Sequence, residues 1–323
     1  MFRVPARYDA RVTTTSTTAQ TGILSTAVVL ARDIKLAHSV FALPFALLGL
    51  FMAAWPIDPD RQVPGSRLWI DFTLVVLAMV AARTAAMLAN RWMDRDIDAR
   101  NPRTSNRALP AGATTPGAML TGLAISCIAF MVICLMFLLI NGNAWPVILG
   151  LPVLAWLCLY PMMKRGTWAC HIWLGASLAL SPLAAAIAVR PDALIEQAAL
   201  WLLSAMVLFW VSGFDVIYAL QDLEIDRHEQ LHSIPARFGF NGSLWFSRIL
   251  HALAGSCLII AWAVDQRLGS VFLAASIAAC VLLVIEHLTV RRWGTTRMAL
   301  TFFTLNGIVS CLIGLAGILD LMS

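Results

Sequence analysis

Nine apolar stretches of roughly twenty residues recur along this chain, at about 36–55, 69–90, 116–140, 144–162, 170–189, 198–219, 244–264, 269–288 and 298–320. Each is long enough, at about 1.5 Å of rise per helical residue, to cross a hydrocarbon core of about 30 Å. Lipid offers no hydrogen-bond partner to a bare backbone, so a chain built this way folds as a helical bundle or a closed barrel. Continuous apolar runs of this length select helices. The expectation is an all-α polytopic membrane protein of nine transmembrane helices, arranged as one bundle. With 60% of residues hydrophobic and 13% charged, an ordinary soluble domain is excluded.

Charge sets the orientation. Of 23 Lys and Arg, eighteen fall in the N-terminal segment and in the connections after the second, fourth, sixth and eighth spans. Four, Arg61, Arg67, Arg190 and Arg267, fall on the other side, and Arg83 lies inside the second span. Cationic loops stay cytoplasmic, so the N-terminus is expected inside and the C-terminus outside. The formal net charge of +5 is explained by this bias and calls for no nucleic acid. Residues 1–31, which include TTTSTTAQTG and lack a secretory signal, read as a disordered or interfacial cytoplasmic segment; residues 32–323 form the membrane domain. Seven scattered cysteines with no CxxC or CxxH pair read as small packing residues.

Against this background, NRWMDRDIDARN (90–101) is anomalous, with six charged residues directly after an apolar run. Asn90, Asp94 and Asp98 recur every four residues and share one helix face, with Arg83 seven residues earlier on the same face. Asp96 points away and is expected to pair with an arginine. A second stretch, GFDVIYALQDLEIDRHEQLHS (213–233), carries Asp215, Tyr218, Asp222 and Asp226 on one stripe. Ionisable residues are costly in membranes and mark function. A DxxxD beside arginines is also a common solvated ion-pair network, but two such rows on one side of the membrane favour a shared task. Carboxylates with an amide suit a hard cation such as Mg²⁺, which takes one or two protein carboxylates and fills its remaining sites from water and phosphate oxygens. The combination with an apolar bundle points to chemistry on an isoprenoid diphosphate at the membrane face.

NRWMDRDID resembles the NxxxDxxxD motif, and DLEID the second DxxxD motif, of UbiA-type intramembrane prenyltransferases; RTSNRALPAG (103–112), YPMMKR (160–165) and HSIPARFG (232–239) are similar to further family segments. The resemblance extends over about 32–320. It implies a nine-helix bundle around a central cavity open to the cytoplasmic side, and Mg²⁺-dependent transfer of a polyprenyl group from its diphosphate to the ring of an aromatic acid, with 4-hydroxybenzoate the first choice and a hydroxynaphthoate of the futalosine route to menaquinone the second. Respiratory quinone synthesis in a bacterial inner membrane is the implied setting.

It further implies that Asn90, Asp94, Asp98, Asp222 and Asp226 hold the metal–diphosphate. Asp215, Asp222 and Tyr218 are the catalytic candidates, Asp215 as a supporting carboxylate or an acceptor contact. Arg83 helps to hold the site. Lys164 and Arg165 bind the acceptor carboxylate or the diphosphate, or serve as topology anchors. Arg103 and Arg107 close over the diphosphate or carry topology charge. His38 faces the acceptor or packs at the interface. His232 replaces a lysine common in relatives. Two other classes compete. A CDP-alcohol phosphatidyltransferase would compress its carboxylates into one stretch, and a transporter of an anionic substrate would place polar groups near the midplane on broken helices.

Overall fold

The computed structural model describes residues 41–323 together with Val29. The rest of the 1–31 segment, the start of the first expected span and His38 lie outside the described residues. Among the described residues every regular element is helical. Eight helices are long and apolar enough to cross a membrane. A shorter apolar helix, α1 (Leu43–Ala54), falls within the first expected span. The others are α2 (Gly65–Met93), α4 (Pro116–Asn141), α5 (Trp145–Gly166), α6 (Cys170–Val189), α7 (Ala198–Ala219), α9 (Ile234–Val264), α10 (Ser270–Trp293) and α11 (Asn306–Met322). Two short helices, α3 (Arg95–Arg100) and α8 (Leu223–His228), follow α2 and α7 and carry the acidic motifs. A π-helical turn, Ala299–Leu305, leads into α11.

Local chemistry sets the boundaries. Thr115 caps α4 by accepting from the Ala118 N–H, Pro116 opens the helix, and Gly142 ends it at φ 66°. Ser233 caps α9 in the same way, accepting from Ala236, with Pro235 in the first turn. This cap starts α9 ten residues before the expected span, and Gly239, at φ 67°, bends the helix where that extra turn meets the membrane segment.

The helices close into a ring. Each long helix packs on the next, α2 on α4, α4 on α5 and so on to α10 on α11, and α11 returns to α1. α1 also crosses to α6 and α7, and α7 is the most enclosed of the spans. Small residues permit these crossings. A Cβ on Gly49 would stand 2.2 Å from the Pro182 carbonyl oxygen, and one on Gly175 would stand 2.1 Å from Ser212 Oγ. The outward faces present large apolar side chains such as Ile128, Leu151 and Val284, the surface a bilayer covers.

The two ends differ. Arg61 bonds Asp192 and Glu196, Arg190 bonds Glu196 and the Ala53 carbonyl, Arg67 bonds the Val189 carbonyl, and Arg267 bonds Asp265 and the Trp55 carbonyl. The four cations assigned to one side therefore share one end of the bundle. Both acidic motifs lie at the other.

Candidate functional site

The first motif does not continue as one straight helix. α2 stops at Asp94, where φ/ψ of −92°/3° turns the chain, although the Asp94 N–H still reaches the Asn90 carbonyl and the Asp98 N–H the Asp94 carbonyl. The second motif breaks in the same way: α7 ends at Ala219, a 3₁₀ turn spans Leu220–Asp222, and α8 follows. The four-residue spacing survives, while the unbroken helical stripe expected from the sequence does not. A carboxylate at a helix junction has room to turn toward a neighbouring segment, and the contacts use that room.

Asp94 is 2% exposed and is compensated from α5, by Lys164 Nζ at 2.8 Å and Arg165 Nη2 at 3.3 Å. Asn90 donates to it from the preceding turn at 3.3 Å, and its own carbonyl oxygen accepts from Arg91. Asp98 takes both its contacts from Arg107 Nη1, at 2.7 and 2.6 Å. Asp222 receives Arg103 through Nε at 2.9 Å and through Nη2, and receives the Asn101 amide at 3.0 Å. Arg103 Nη1 donates to the Tyr218 hydroxyl at 3.1 Å, and the guanidinium lies 5.4 Å over the Tyr218 ring. Burial disfavours charge on Arg103, but its bonds to Asp222 outweigh that cost and hold it above the usual arginine range. Asp226 accepts from Ser233 Oγ at 2.8 Å, and Lys164 lies within electrostatic reach of it.

The two acidic rims are thus drawn together. Residues of the loop after the first motif, Asn101 and Arg103, grip a carboxylate of the second, and Arg100 grips Glu229 beside it at 2.6 Å. Arg107 and Lys164 close the first rim, and Lys164 faces both. Asp96 meets Arg95 at 3.7 Å and is well exposed, as expected for a solvated pair.

Two expected members stand apart. Arg83 lies nearer Tyr160 and Arg91 and makes no bond to a motif carboxylate; its Nε has no partner. Asp215, one turn before Tyr218, is held instead by His171 Nδ1 of α6 at 2.7 Å, and the other ring nitrogen of His171 faces the Ile234 N–H at 3.4 Å. His171 therefore ties Asp215 to the N-terminal turn of α9, whose cap, Ser233, holds Asp226. Sequence reasoning missed His171, whose signal was a lone imidazole in an apolar span, and Asn101, the last residue of the anomalous stretch. It also missed a third polar group inside the bundle: Trp210 Nε1 donates to Asn306, Asn306 to Glu286, and His251 meets His287 at 3.1 Å.

The donor set fits a hard cation only in part by itself. Among the described residues no three His, Cys, Asp or Glu side chains stand close enough to hold a metal alone. Four carboxylates and two amides spread over two rims fit Mg²⁺ taking one or two carboxylates and completing its shell from phosphate oxygens and water.

Residues 42–308 match the model of the UbiA prenyltransferase family. A relative named 4-hydroxybenzoate octaprenyltransferase from Saccharophagus degradans is 33% identical over 195 residues, 59% of this chain and 62% of that one, so the match spans under two thirds of that relative. One of the same name from Pseudomonas fluorescens is 30% identical over 67% of this chain and 71% of its own. Among solved structures, an apo UbiA homolog from Aeropyrum pernix superposes with a TM-score of 0.76 at 28% identity, covering 88% of this chain and 98% of that one. A UbiA homolog from Archaeoglobus fulgidus bound to DMAPP and Mg²⁺ shares the fold, with a TM-score of 0.67 at 15% identity over 91% of this chain and 99% of that one.

Proposed function

The chain belongs to the UbiA prenyltransferase family, and from that premise we propose that it transfers a polyprenyl group from polyprenyl diphosphate to the ring of an aromatic acid, 4-hydroxybenzoate, in a Mg²⁺-dependent reaction of respiratory quinone synthesis. The observation that carries the reading is the grip of Arg103 and Asn101 on Asp222, which joins rims about 120 residues apart in sequence into one site. The names of the bacterial relatives support the acceptor, and the DMAPP and Mg²⁺ of the Archaeoglobus homolog support the donor and the ion. The site faces the cytoplasm on the charge bias of the loops.

Asn90, Asp94, Asp98, Asp222 and Asp226 are the residues that would hold Mg²⁺. Bound there, it neutralises the departing diphosphate. Arg103, Arg107 and Lys164, now paired with motif carboxylates, would be released to phosphate oxygens where those carboxylates held the metal. Arg165, whose planar fork suits a carboxylate, takes the acid group of the acceptor.

The allylic C–O bond breaks, with the electron pair leaving on the diphosphate. Tyr218, whose ring centroid is 4.1 Å from that of Phe302, offers a π face to the allylic cation. The ring carbon ortho to the phenol forms the new C–C bond and loses its proton to Asp215. His171 donates to one oxygen of Asp215 and leaves the other for that proton.

The test is an assay in membranes with polyprenyl diphosphate and either 4-hydroxybenzoate or dihydroxynaphthoates, the products identified by mass. A prenylated hydroxybenzoate is expected. Product from the naphthoates alone would move the assignment to the menaquinone route, and diphosphate that is never released with any acceptor would overturn it.

A further inference from the structure

A groove of about 730 Å³ runs between α9 and α10 on the outer face of the bundle, away from the acidic rims. Its lining is layered. Arg248 stands at the top. One turn below are His251 and His287, both more than nine-tenths buried, with His287 Nδ1 lacking any partner. Below them the walls are apolar or small: Gly255, Ser256, Ile259 and Val284.

The mouth lies at the membrane interface of the carboxylate end. Trp245 is 63% exposed and carries Arg248 over its ring at 5.2 Å, and Trp293 carries Arg292 and Arg297 at 4.9 Å. Aromatic residues stacked with cations in this way mark the headgroup level. Arg248, Arg291, Arg292 and Arg297 form no ion pair with any carboxylate among the described residues. From Arg248 to Ile260 the helix rises about 18 Å, close to the roughly 15 Å of hydrocarbon in one leaflet.

We propose that this groove is a binding site for one anionic phospholipid of the adjoining leaflet. Its phosphate rests on Arg248, its ester carbonyl accepts from His287 Nδ1, and one acyl chain fills the trough below. The order of the lining, guanidinium, then imidazole, then apolar wall, is the order of a phospholipid along the membrane normal. Four unpaired guanidiniums select a net negative headgroup over a zwitterionic one. A trough one leaflet long matches an acyl chain and is too short for a polyprenyl chain of many units.

The full chain, purified in mild detergent, is offered phosphatidylglycerol or phosphatidylcholine and read by native mass spectrometry. One phosphatidylglycerol per chain is expected to be retained in preference to phosphatidylcholine. Arg248→Gln, a change at the groove mouth remote from the acidic rims, lowers that retention about fivefold. Ser256→Phe, which fills the trough, abolishes it without changing the size-exclusion profile; if that profile changes, Arg248→Gln alone decides. Inorganic phosphate in excess leaves the lipid bound. Equal retention of the two lipids, unchanged retention in Arg248→Gln, or displacement by phosphate alone would overturn the proposal.

Discussion

Replacing Arg103 separates what the rim does for the fold from what it does for the reaction. Its side chain is about one-third exposed, donates twice to Asp222 and once to Tyr218, and lies over the Tyr218 ring. A partly exposed ion pair contributes no more than about 1 kcal/mol to stability, because water competes for both partners. The bundle is held by interhelical packing far from this loop, so Arg103→Gln stays folded. In the reaction proposed above the same guanidinium would turn to a phosphate oxygen on which charge develops. Losing one preorganised donor to developing charge costs about 10²–10³ in kcat, or about 3–4 kcal/mol. Arg103→Lys keeps the charge but loses the fork that spans Asp222 and Tyr218, and an intermediate loss of about tenfold follows. The assay is radiolabelled prenyl transfer in membranes, with a thermal melt on the same preparations. A melt shifted by several degrees together with activity within threefold of the parent would refute the reasoning, since the residue would then be a structural clamp.

Asp94→Asn and Asp226→Asn each keep shape and remove one negative charge; transfer is expected to fall at least a hundredfold with the size-exclusion profile unchanged. His171→Ala leaves Asp215 without its donor and lowers kcat about tenfold or more with little change in KM for the diphosphate, while His171→Gln restores part of the loss, as steady-state kinetics will read. Chelation with EDTA stops transfer; Mg²⁺ restores it and Ca²⁺ does so poorly, because the larger ion prefers more oxygen ligands at longer range. Gly175→Ala forces a methyl against Ser212 Oγ and the Leu208 carbonyl where α6 crosses α7, and destabilises the protein by about 1–3 kcal/mol, measured by thermal aggregation in detergent.

The spans were legible because lipid leaves the backbone few options, and seven of the nine stretches coincide with helices whose ends differ from expectation by a few residues, while the start of the first lies outside the described residues. The exception, the start of α9, was hidden because the Ser233 cap lies outside the apolar run and apolar content alone does not register it. The carboxylates were legible by their cost in such a chain. Their partners were not. Spacing along one helix gives a face, but it does not report that Asp94 and Asp222 sit at breaks, or that Arg103 reaches across to the second motif. The pairing of Asp215 with His171 depends on the crossing of α6 and α7, a tertiary fact with no signature in either segment. The group around Glu286 escaped notice because its members are isolated along the chain and meet only when α7, α9, α10 and α11 pack.

The straps from Arg100 and Arg103 to Glu229 and Asp222 have a consequence for biogenesis. Their two halves emerge from the ribosome more than a hundred residues apart. A nascent chain with only its early spans inserted holds arginines and aspartates that have no opposite bank. On the site proposed above, competence to cleave an activated lipid would arrive late, when most of the ring has been threaded, and an abandoned fragment could not squander the donor pool.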